Sequence, residues 1–385
     1  LRVRAGYLIE RWGRLDLLPV ADVLNGRDLR AGAFSPAGWQ RIPAPLARVQ
    51  MGDSRARVEL TLLPLGAADA ASLWGTDHAL VRQEQLANLA ADASGWSGDT
   101  LTESTAQALA GSLETALREL DPQLRQGLSS GLAGAGRPRP LDEAIDVGLR
   151  GEWEVGRLDV ALSAAWLRNR QPAPVVDPML VGLLRDRRLP GVADQAALLE
   201  AASGPLETHW PRTAFGAGEL GTTVGPFGLR GEAAAWSART VPQRWLQADT
   251  SPALSAGGGL DWAPTTATVI AAECRWDRLL DPPPDPFLMA AKDISFGLVM
   301  RTALARERLG LTVGGQYSTA FQEFIIRPEA TFRTSDTLEV GLGAVVLAGG
   351  PDAPGTLRAA LAHAGGPGSY WGDTDAVTAS LKWIR

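Results

Sequence analysis

The feature that most constrains the fold of this chain is a period-two alternation of apolar and polar residues in segments of about ten residues. In residues 145–153, Ile145, Val147 and Leu149 alternate with Asp146 and Arg150. Successive side chains of a β-strand point to opposite faces, so the pattern predicts strands with one apolar face and one polar face. About fourteen segments carry it, namely 1–11, 44–51, 55–63, 145–153, 158–166, 213–224, 227–238, 253–262, 266–276, 293–303, 308–318, 321–333, 337–346 and 377–383.

The links between these segments alternate in length. Short links fall at 52–53, 155–157, 225–226, 263–265, 305–307 and 334–336, and longer ones at 64–142, 169–212, 239–252, 277–292 and 348–373. Only 318–320 is short where a long link is expected. Short turns at one end and long loops at the other are typical of outer-membrane barrels. The sequence therefore predicts an all-β fold, a single 1–385 domain forming a transmembrane, antiparallel, up-and-down β-barrel. It would have fourteen strands, or sixteen if a hairpin precedes Leu1.

Composition excludes several other classes of protein. No apolar run approaches the roughly 18 residues that a membrane helix needs, and a net charge of −6 gives no reason to expect a nucleic-acid partner. The single cysteine, Cys274, excludes an internal disulfide framework and a multi-cysteine metal site. Its parity in the alternation places it on the apolar face. No charged and apolar leader segment precedes Leu1, so we expect that a signal peptide has been removed.

Aromatic residues are expected to form two girdles at the membrane interfaces, because they fall on the apolar face at both ends of the strands. The alternative is a water-soluble β-protein with tryptophans in its core, although core tryptophans have no reason to collect at strand ends. Trp236 is an exception, since its parity places it inward. The predicted interface aromatics are Trp153, Trp166, Trp262, Trp276, Tyr317, Phe332 and Trp383.

The polar faces carry many charged residues, which predicts a hydrated lumen, a network of internal ion pairs, or both. Acidic and basic groups are roughly balanced among them, so no strong ion selectivity follows. The predicted lumen-lining residues are Arg57, Glu59, Asp146, Arg150, Glu152, Asp159, Arg230, Glu232, Asp261, Glu273, Arg275, Asp293, Arg301, Arg308, Arg327, Glu329, Arg333, Glu339 and Lys382.

Two of the links are candidates for more than a simple connection. The polar segment 13–44 is expected to fold into the barrel as a constriction, or else to form a surface loop; its candidate constriction residues are Asp16, Asp22, Arg27, Asp28 and Arg30. The long outer loop 64–142 contains apolar residues at helical spacing, which predicts a helix over 102–124. A second short helix is expected over 192–202, in the other long outer loop, 169–212. Such helices could pack on the barrel rim, plug its mouth, or dock another protein.

Several short motifs occur along the chain: YLIERWGR at 7–14, DVLN at 22–25, DLR at 28–30 and IPAP at 42–45, with IRP at 326–328 and TSD at 334–336 near the C-terminus. Through them most of the chain loosely resembles a poorly characterised family of porin-like outer-membrane proteins. The chain departs from the family at its end, which is Trp383-Ile384-Arg385 rather than a terminal aromatic residue. The resemblance implies an outer-membrane location and transport of hydrophobic or small polar compounds.

The residues give no motif for catalysis, cofactor binding or metal binding. His78, near Asp77 and Ser72, forms the one local cluster with catalytic residue types, and His209 and His363 are isolated in the sequence. We therefore predict a non-enzyme with no cofactor, in contact with outer-membrane lipid. Its long loops and periplasmic turns are candidate contacts for other envelope proteins, and its oligomeric state stays open. Two functions remain: a passive or partner-gated porin-like channel, and a structural barrel that anchors a larger envelope complex.

Overall fold

The computed structural model describes residues 1–28, 41–64, 145–171, 173–186, 207–245, 247–305, 308–355 and 357–383, with a few single positions between 69 and 118. Sixteen strands occur in this part of the chain. They are β1 (Arg2–Leu8), β2 (Ala44–Gly52), β3 (Ala56–Leu63), β4 (Asp146–Val155), β5 (Leu158–Arg168), β6 (Ala173–Val175), β7 (Glu207–His209), β8 (Arg212–Val224), β9 (Phe227–Gln243), β10 (Gln247–Thr265), β11 (Thr268–Leu279), β12 (Lys292–Leu304), β13 (Leu309–Ser318), β14 (Glu323–Ser335), β15 (Leu338–Gly349) and β16 (Ala376–Trp383).

Fourteen of these strands form one antiparallel sheet in which each strand pairs with its neighbours along the chain. The only departure from sequence order is that β5 pairs with β8, because β6 and β7 form a separate two-stranded sheet inside the long link. The predicted all-β, up-and-down antiparallel fold is confirmed. Within the described residues, β1 pairs only with β2 and β16 only with β15.

The links sort by end, as the sequence predicted. One end of the sheet, the short-turn end, carries 53–55, 156–157, 225–226, 266–267, 305–308 and 336–337. The opposite end, the long-link end, carries 9–43, 64–145, 169–211, 244–246, 280–291, 319–322 and 350–375. The link at 244–246 is a correction, because 239–252 was predicted as a long loop. Strands β9 and β10 stay paired up to the turn, from Arg239 opposite Ser251 to Gln243 opposite Gln247. The register shifts at Pro252, between Ser251 and Ala253, which hides the alternation in the sequence.

The sheet is apolar on its outward face and polar on its inward face. In β4, Leu149 is 50% exposed while the neighbouring Arg150 is 6% exposed. In β3, Leu60 and Leu62 are exposed, and Glu59 and Thr61 between them are buried. A water-soluble sheet would have the opposite distribution, with its apolar side chains in the core. The predicted alternation therefore describes a sheet that turns its charges inward.

Three short helices lie in the long links: α1 (Pro178–Asp186), α2 (Leu357–Leu361) and α3 (Pro367–Tyr370). None of the described helices has the length and apolar character to cross a membrane. Helix α1 and the β6–β7 pair were not predicted, and 192–202 lies outside the described residues. Within 102–124, the described positions 107–108, 111–112, 114–115 and 118 are helical, and Arg118 pairs with Glu114 one turn earlier.

Candidate functional site

The centre of the sheet is occupied by the link that follows β1, of which residues 9–28 are described and are called the inner segment below. Trp12, Leu15 and Leu24 are at most 1% exposed. They form a buried cluster with side chains from the wall, including Leu63 of β3 and Phe215 of β8. The sheet thus wraps around its own chain. The predicted inward folding of 13–44 can be followed over 13–28 and 41–44, while 29–40 lies outside the described residues.

Two buried glutamates of the wall bind the backbone of the inner segment. The carboxylate of Glu232 in β9 accepts hydrogen bonds from the amides of Arg14, Leu15, Val20 and Ala21, the last three at 2.5, 2.9 and 2.9 Å. The carboxylate of Glu273 in β11 accepts hydrogen bonds from the amides of Asp16, Leu17 and Leu18 at 2.7, 2.9 and 2.8 Å. Seven consecutive or near-consecutive amides are therefore satisfied by two side chains.

This arrangement has a clear physical cause. The inner segment is neither helix nor strand, and Pro19 interrupts it, so its amides have no regular backbone partners. Buried amides without acceptors would cost free energy, and a carboxylate is a stronger acceptor than a neutral oxygen. Glu232 and Glu273 are 4% and 3% exposed, and the amides around them compensate their buried charges.

Inward-facing glycines make room for the inner segment. A β-carbon at Gly148 would lie 2.5 Å from the ring of Trp12, and one at Gly257 would lie 2.7 Å from Leu15. Gly13 combines a positive φ of 97° with close approach to Glu232, since a β-carbon there would lie 2.9 Å from the carboxylate. Side chains at these positions would collide with the segment or its anchors. The Trp-Gly pair of the sequence resemblance therefore has a packing role.

The ends of the inner segment are tied together by its own polar residues. The side-chain oxygen of Asn25 accepts a hydrogen bond from the amide of Glu10, and its nitrogen donates to the carbonyls of Leu8 and Ile42. Arg41 pairs with Asp22 at 2.7 Å, which fixes the return of the chain toward β2. Asn25 of the DVLN motif is 1% exposed and thus holds the two ends of the segment together through these hydrogen bonds.

Many predicted lumen-lining residues form ion pairs around the inner segment. Arg150 binds both oxygens of Glu219 at 2.5 and 2.7 Å and also contacts Glu152. Arg230 contacts Asp16 at 2.7 Å, and it also reaches Asp261 and Glu273. The other pairs are Arg57 with Glu152, Arg168 and Arg212 with Asp146, Arg275 with Asp277, and, more distantly at 3.8 Å, Arg14 with Asp159.

The remaining predicted lumen residues lie away from these ion pairs. Asp293 in β12 accepts hydrogen bonds from Ser295, Ser318, Thr319 and the amide of Ala320, and so fixes the 319–322 turn. Glu339 in β15 lies 3.9 Å from Arg333 and 4.0 Å from Lys382. The others in this region are Arg301, Arg308, Arg327 and Glu329, on β12 to β14 or the turn between them.

Cavities flank the inner segment on both sides. One of about 330 Å³ lies toward the long-link end and includes Leu18 and Arg27 in its lining. Another of about 360 Å³ lies toward the short-turn end and includes Asp16 and Arg301. A third, of about 200 Å³, lies near the same end between the segment and β1 to β4. The segment therefore separates spaces that lie toward opposite ends of the sheet, each lined by both charged and apolar residues.

The candidate constriction residues differ in their placement. Asp16 and Arg27 line cavities, as a constriction requires. Asp22 is 6% exposed and is held by Arg41, so it serves the fold of the segment. Asp28 is partly buried beside the bridge between Arg27 and Arg41, and Arg30 lies outside the described residues.

The predicted interface aromatics lie on the outward face. Five of them, Trp153, Trp166, Trp262, Phe332 and Trp383, are between 38% and 69% exposed, whereas Trp276 and Tyr317 are partly buried. Trp236 packs against the inner cluster beside Phe215, with ring centroids 5.3 Å apart, as its inward parity predicted. Cys274 is exposed on the outward face.

A cluster of catalytic residue types, which sequence reasoning did not bring together, joins α3 to β14. Ser369 donates to Glu323 at 2.5 Å and lies 3.0 Å from Nε2 of His363. Glu323 also accepts the amides of Gly366 and Ser369, so it organises the loop. Burial lowers the pKa of His363, although the charge of Glu323 opposes that shift. Ser369 donates its hydroxyl proton to Glu323 and not to His363, so His363 does not act as a base toward the serine. This arrangement indicates a structural role for the cluster.

The other two histidines are His209 and His78. His209 ends β7 and is exposed, and His78 lies outside the described residues. Among the described residues, no group of three or more histidine, cysteine or acidic side chains is placed to hold a metal ion.

Comparison with known proteins gives a loose likeness of fold. No family model and no curated protein matches the chain. Among solved structures, the Ralstonia pickettii toluene transporter TbuX is 8% identical, with a TM-score of 0.33 over 80% of this chain and 77% of that one. The CymD monoaromatic hydrocarbon channel is 9% identical, with a TM-score of 0.32 over 80% and 78%. An anion-selective porin from Comamonas acidovorans is 11% identical, with a TM-score of 0.26 over 54% and 80%.

These neighbours are channels and porins, the class that the sequence resembles. TM-scores near 0.3 carry no weight in assigning a family or an activity. The function is therefore argued from the faces of the sheet and from the inner segment.

Proposed function

We propose that this protein is a Gram-negative outer-membrane channel whose lumen is plugged by its own inner segment. In this proposal small solutes pass through the polar interior when the segment shifts, passively or under the control of a partner. The long-link end faces the outside of the cell and the short-turn end faces the periplasm, as in other barrels with this division of link lengths. The proposed role is transport, without catalysis.

The outward face supports the membrane location. Leucine, valine and tryptophan side chains such as Leu162 and Trp166 are about half exposed there, while charged side chains lie on the inward face. Such a sheet is suited to hydrocarbon, because its outward face presents apolar side chains to the lipid and pairing between its strands satisfies backbone polar groups. Bilayers also favour closed barrels, because an open strand edge would leave backbone groups without partners. Pairing of β1 with β16 is part of this proposal.

The single observation that carries the channel role is the position of the inner segment between cavities. The segment is held by Glu232 and Glu273, and the spaces on either side of it include charged residues in their linings and have volumes of about 330 and 360 Å³. Spaces of this size with charged groups in their walls have room for water. Among the described residues this short irregular segment interrupts the passage, and in the proposal its movement opens the passage.

The alternative role, a structural barrel that anchors a larger envelope complex, has one observation in its favour. The inner cluster around Trp12 and Leu15 fills the middle of the lumen with apolar side chains. A permanently filled interior would suit an anchor. The cavities on both sides of the cluster, each with charged residues in its lining, favour the gated channel.

The proposal is tested by single-channel recording of the purified protein in planar bilayers. The double variant Glu232→Gln, Glu273→Gln removes two charges and replaces one acceptor oxygen on each side chain. Each amide left without an acceptor costs about 1–3 kcal/mol, so the segment should loosen and the conductance should rise several-fold. Glu329→Gln, on the same inward face but away from the segment, is the matched control. If wild type and double variant are equally silent, the channel role is wrong and the anchoring role gains support.

A further inference from the structure

The cavity of about 200 Å³ between the inner segment and β1 to β4 has an unusual charge. Six arginines and three glutamates line it, and Arg11 and Arg150 also pair with Asp16 and Glu219 outside the lining, which leaves one excess positive charge. The whole chain carries a net charge of −6, so this excess runs against the composition of the protein. Its floor is Trp12, which is 1% exposed.

The three glutamates of this arginine pocket are already engaged. Arg48 binds Glu10 at 2.5 Å and Glu59 at 3.2 Å. Glu152 is shared between Arg57 and Arg150, the latter at 2.8 Å. The internal ion pairs therefore use every carboxylate of the lining.

Arg2 and Arg4, both on β1, complete the lining, and the charge of Arg4 acts on Glu10 from beyond ion-pair distance. Neither forms an ion pair or a hydrogen bond with the described residues, and both are exposed. Strand register places Arg4 directly opposite Arg48, and Arg2 opposite Gln50. Like charges directly opposite each other on paired strands are destabilising. An anion between them would remove that repulsion.

We infer that the arginine pocket binds a small oxyanion, a carboxylate or a phosphate, with Arg2 and Arg4 as its principal ligands. Guanidinium groups match both oxyanions through paired hydrogen bonds. The pocket volume of about 200 Å³ equals that of about six or seven waters at roughly 30 Å³ each. It therefore suits a compact anion and excludes a polymer. If the pocket is a binding site along the path of a transported solute, that role rests on the proposed channel function, whereas anion binding itself does not.

Isothermal titration of the full chain in a non-ionic detergent tests this site without any membrane or transport. Succinate and inorganic phosphate are the probes, and succinamide is the neutral control. We expect heat from at least one anion and none from succinamide, with weaker binding as NaCl rises from about 0.02 to about 0.3 M, because salt screens partly exposed charges. The affinities for succinate and phosphate are measured at equal concentrations, which shows whether the pocket prefers a carboxylate or a phosphate.

The double variant Arg2→Gln, Arg4→Gln should weaken anion binding about tenfold or more, since each charge-assisted hydrogen bond is worth about as much as a tenfold change in affinity. Arg333→Gln, an inward arginine outside the pocket, should bind as wild type does. The proposal is overturned if no anion binds, or if both variants lose affinity equally. If the protein binds an anion but shows no conductance in bilayers, the anion site stands and the channel function is wrong. If it conducts but binds no anion, the channel function stands and the anion site is wrong.

Discussion

At the scale of single residues, the function depends on contacts that join distant parts of the sequence. The sequence placed Glu232 and Glu273 on the inward face, and both side chains are buried in the structure. It could not identify their partners, because Glu232 and the amide of Leu15 are 217 positions apart and amides carry no residue-specific signal. The available signal was the inward parity of Gly148 and Gly257, two missing side chains on a face otherwise rich in large charged ones.

Replacing Gly257 tests the close packing of the inner segment. Gly257→Leu should displace the segment, because its side chain would occupy the space of Leu15 and Val20, and such overpacking costs about 1–3 kcal/mol. Arg11 and Arg14 should then become accessible to trypsin in the folded protein. Gly258→Leu is the matched control, since Gly258 faces outward and a β-carbon there meets only a backbone oxygen at 3.7 Å. Equal resistance of the two variants to trypsin would contradict the packing described for Gly257.

At the scale of elements, strand positions were predictable and the ends of strands were less so. Alternation located all fourteen strands of the large sheet, because each has one apolar and one polar face. It missed the extensions of β9 and β10, where Pro252 shifts the register between Ser251 and Ala253. It also missed α1, which is only nine residues long and sits in a link without a strand pattern.

The outward face of β15 provides a prediction at this scale. Leu342 is 59% exposed on that face. Leu342→Arg should destabilise the protein in bilayers by about 2–4 kcal/mol if the residue lies near the membrane midplane, because a guanidinium would enter hydrocarbon. Leu342→Phe should be tolerated. Denaturant titration in lipid vesicles, followed by the heat-dependent gel mobility of the barrel, measures both variants. Equal stability of the arginine and phenylalanine variants would contradict the membrane assignment of this face.

At the scale of the whole molecule, the fold is an inside-out sheet organised around a piece of its own chain. The sequence predicted the inside-out character and offered an inward fold for 13–44 as one of two options. The choice between constriction and surface loop needed the three-dimensional arrangement, because it depends on how Glu59, Glu232, Glu273 and the inward glycines converge from separate strands. The ion pairs of the lumen likewise join residues that are distant in sequence, such as Arg150 of β4 and Glu219 of β8, which lie two strands apart in the sheet and 69 positions apart in the chain.

The central claim is that the inner segment closes the lumen, and a reversible crosslink tests it most directly. A β-carbon at Gly297 would lie 3.2 Å from that of Leu17, close to the separation found in disulfides. Leu17→Cys and Gly297→Cys, added to the Glu232→Gln, Glu273→Gln background with Cys274→Ser, should form a disulfide that holds the loosened segment in place. Single-channel recording should then give low conductance in the oxidised protein and a several-fold increase after reduction, with no such change in either single-cysteine variant. An oxidised, fully crosslinked protein that conducts as well as the reduced one would contradict the claim.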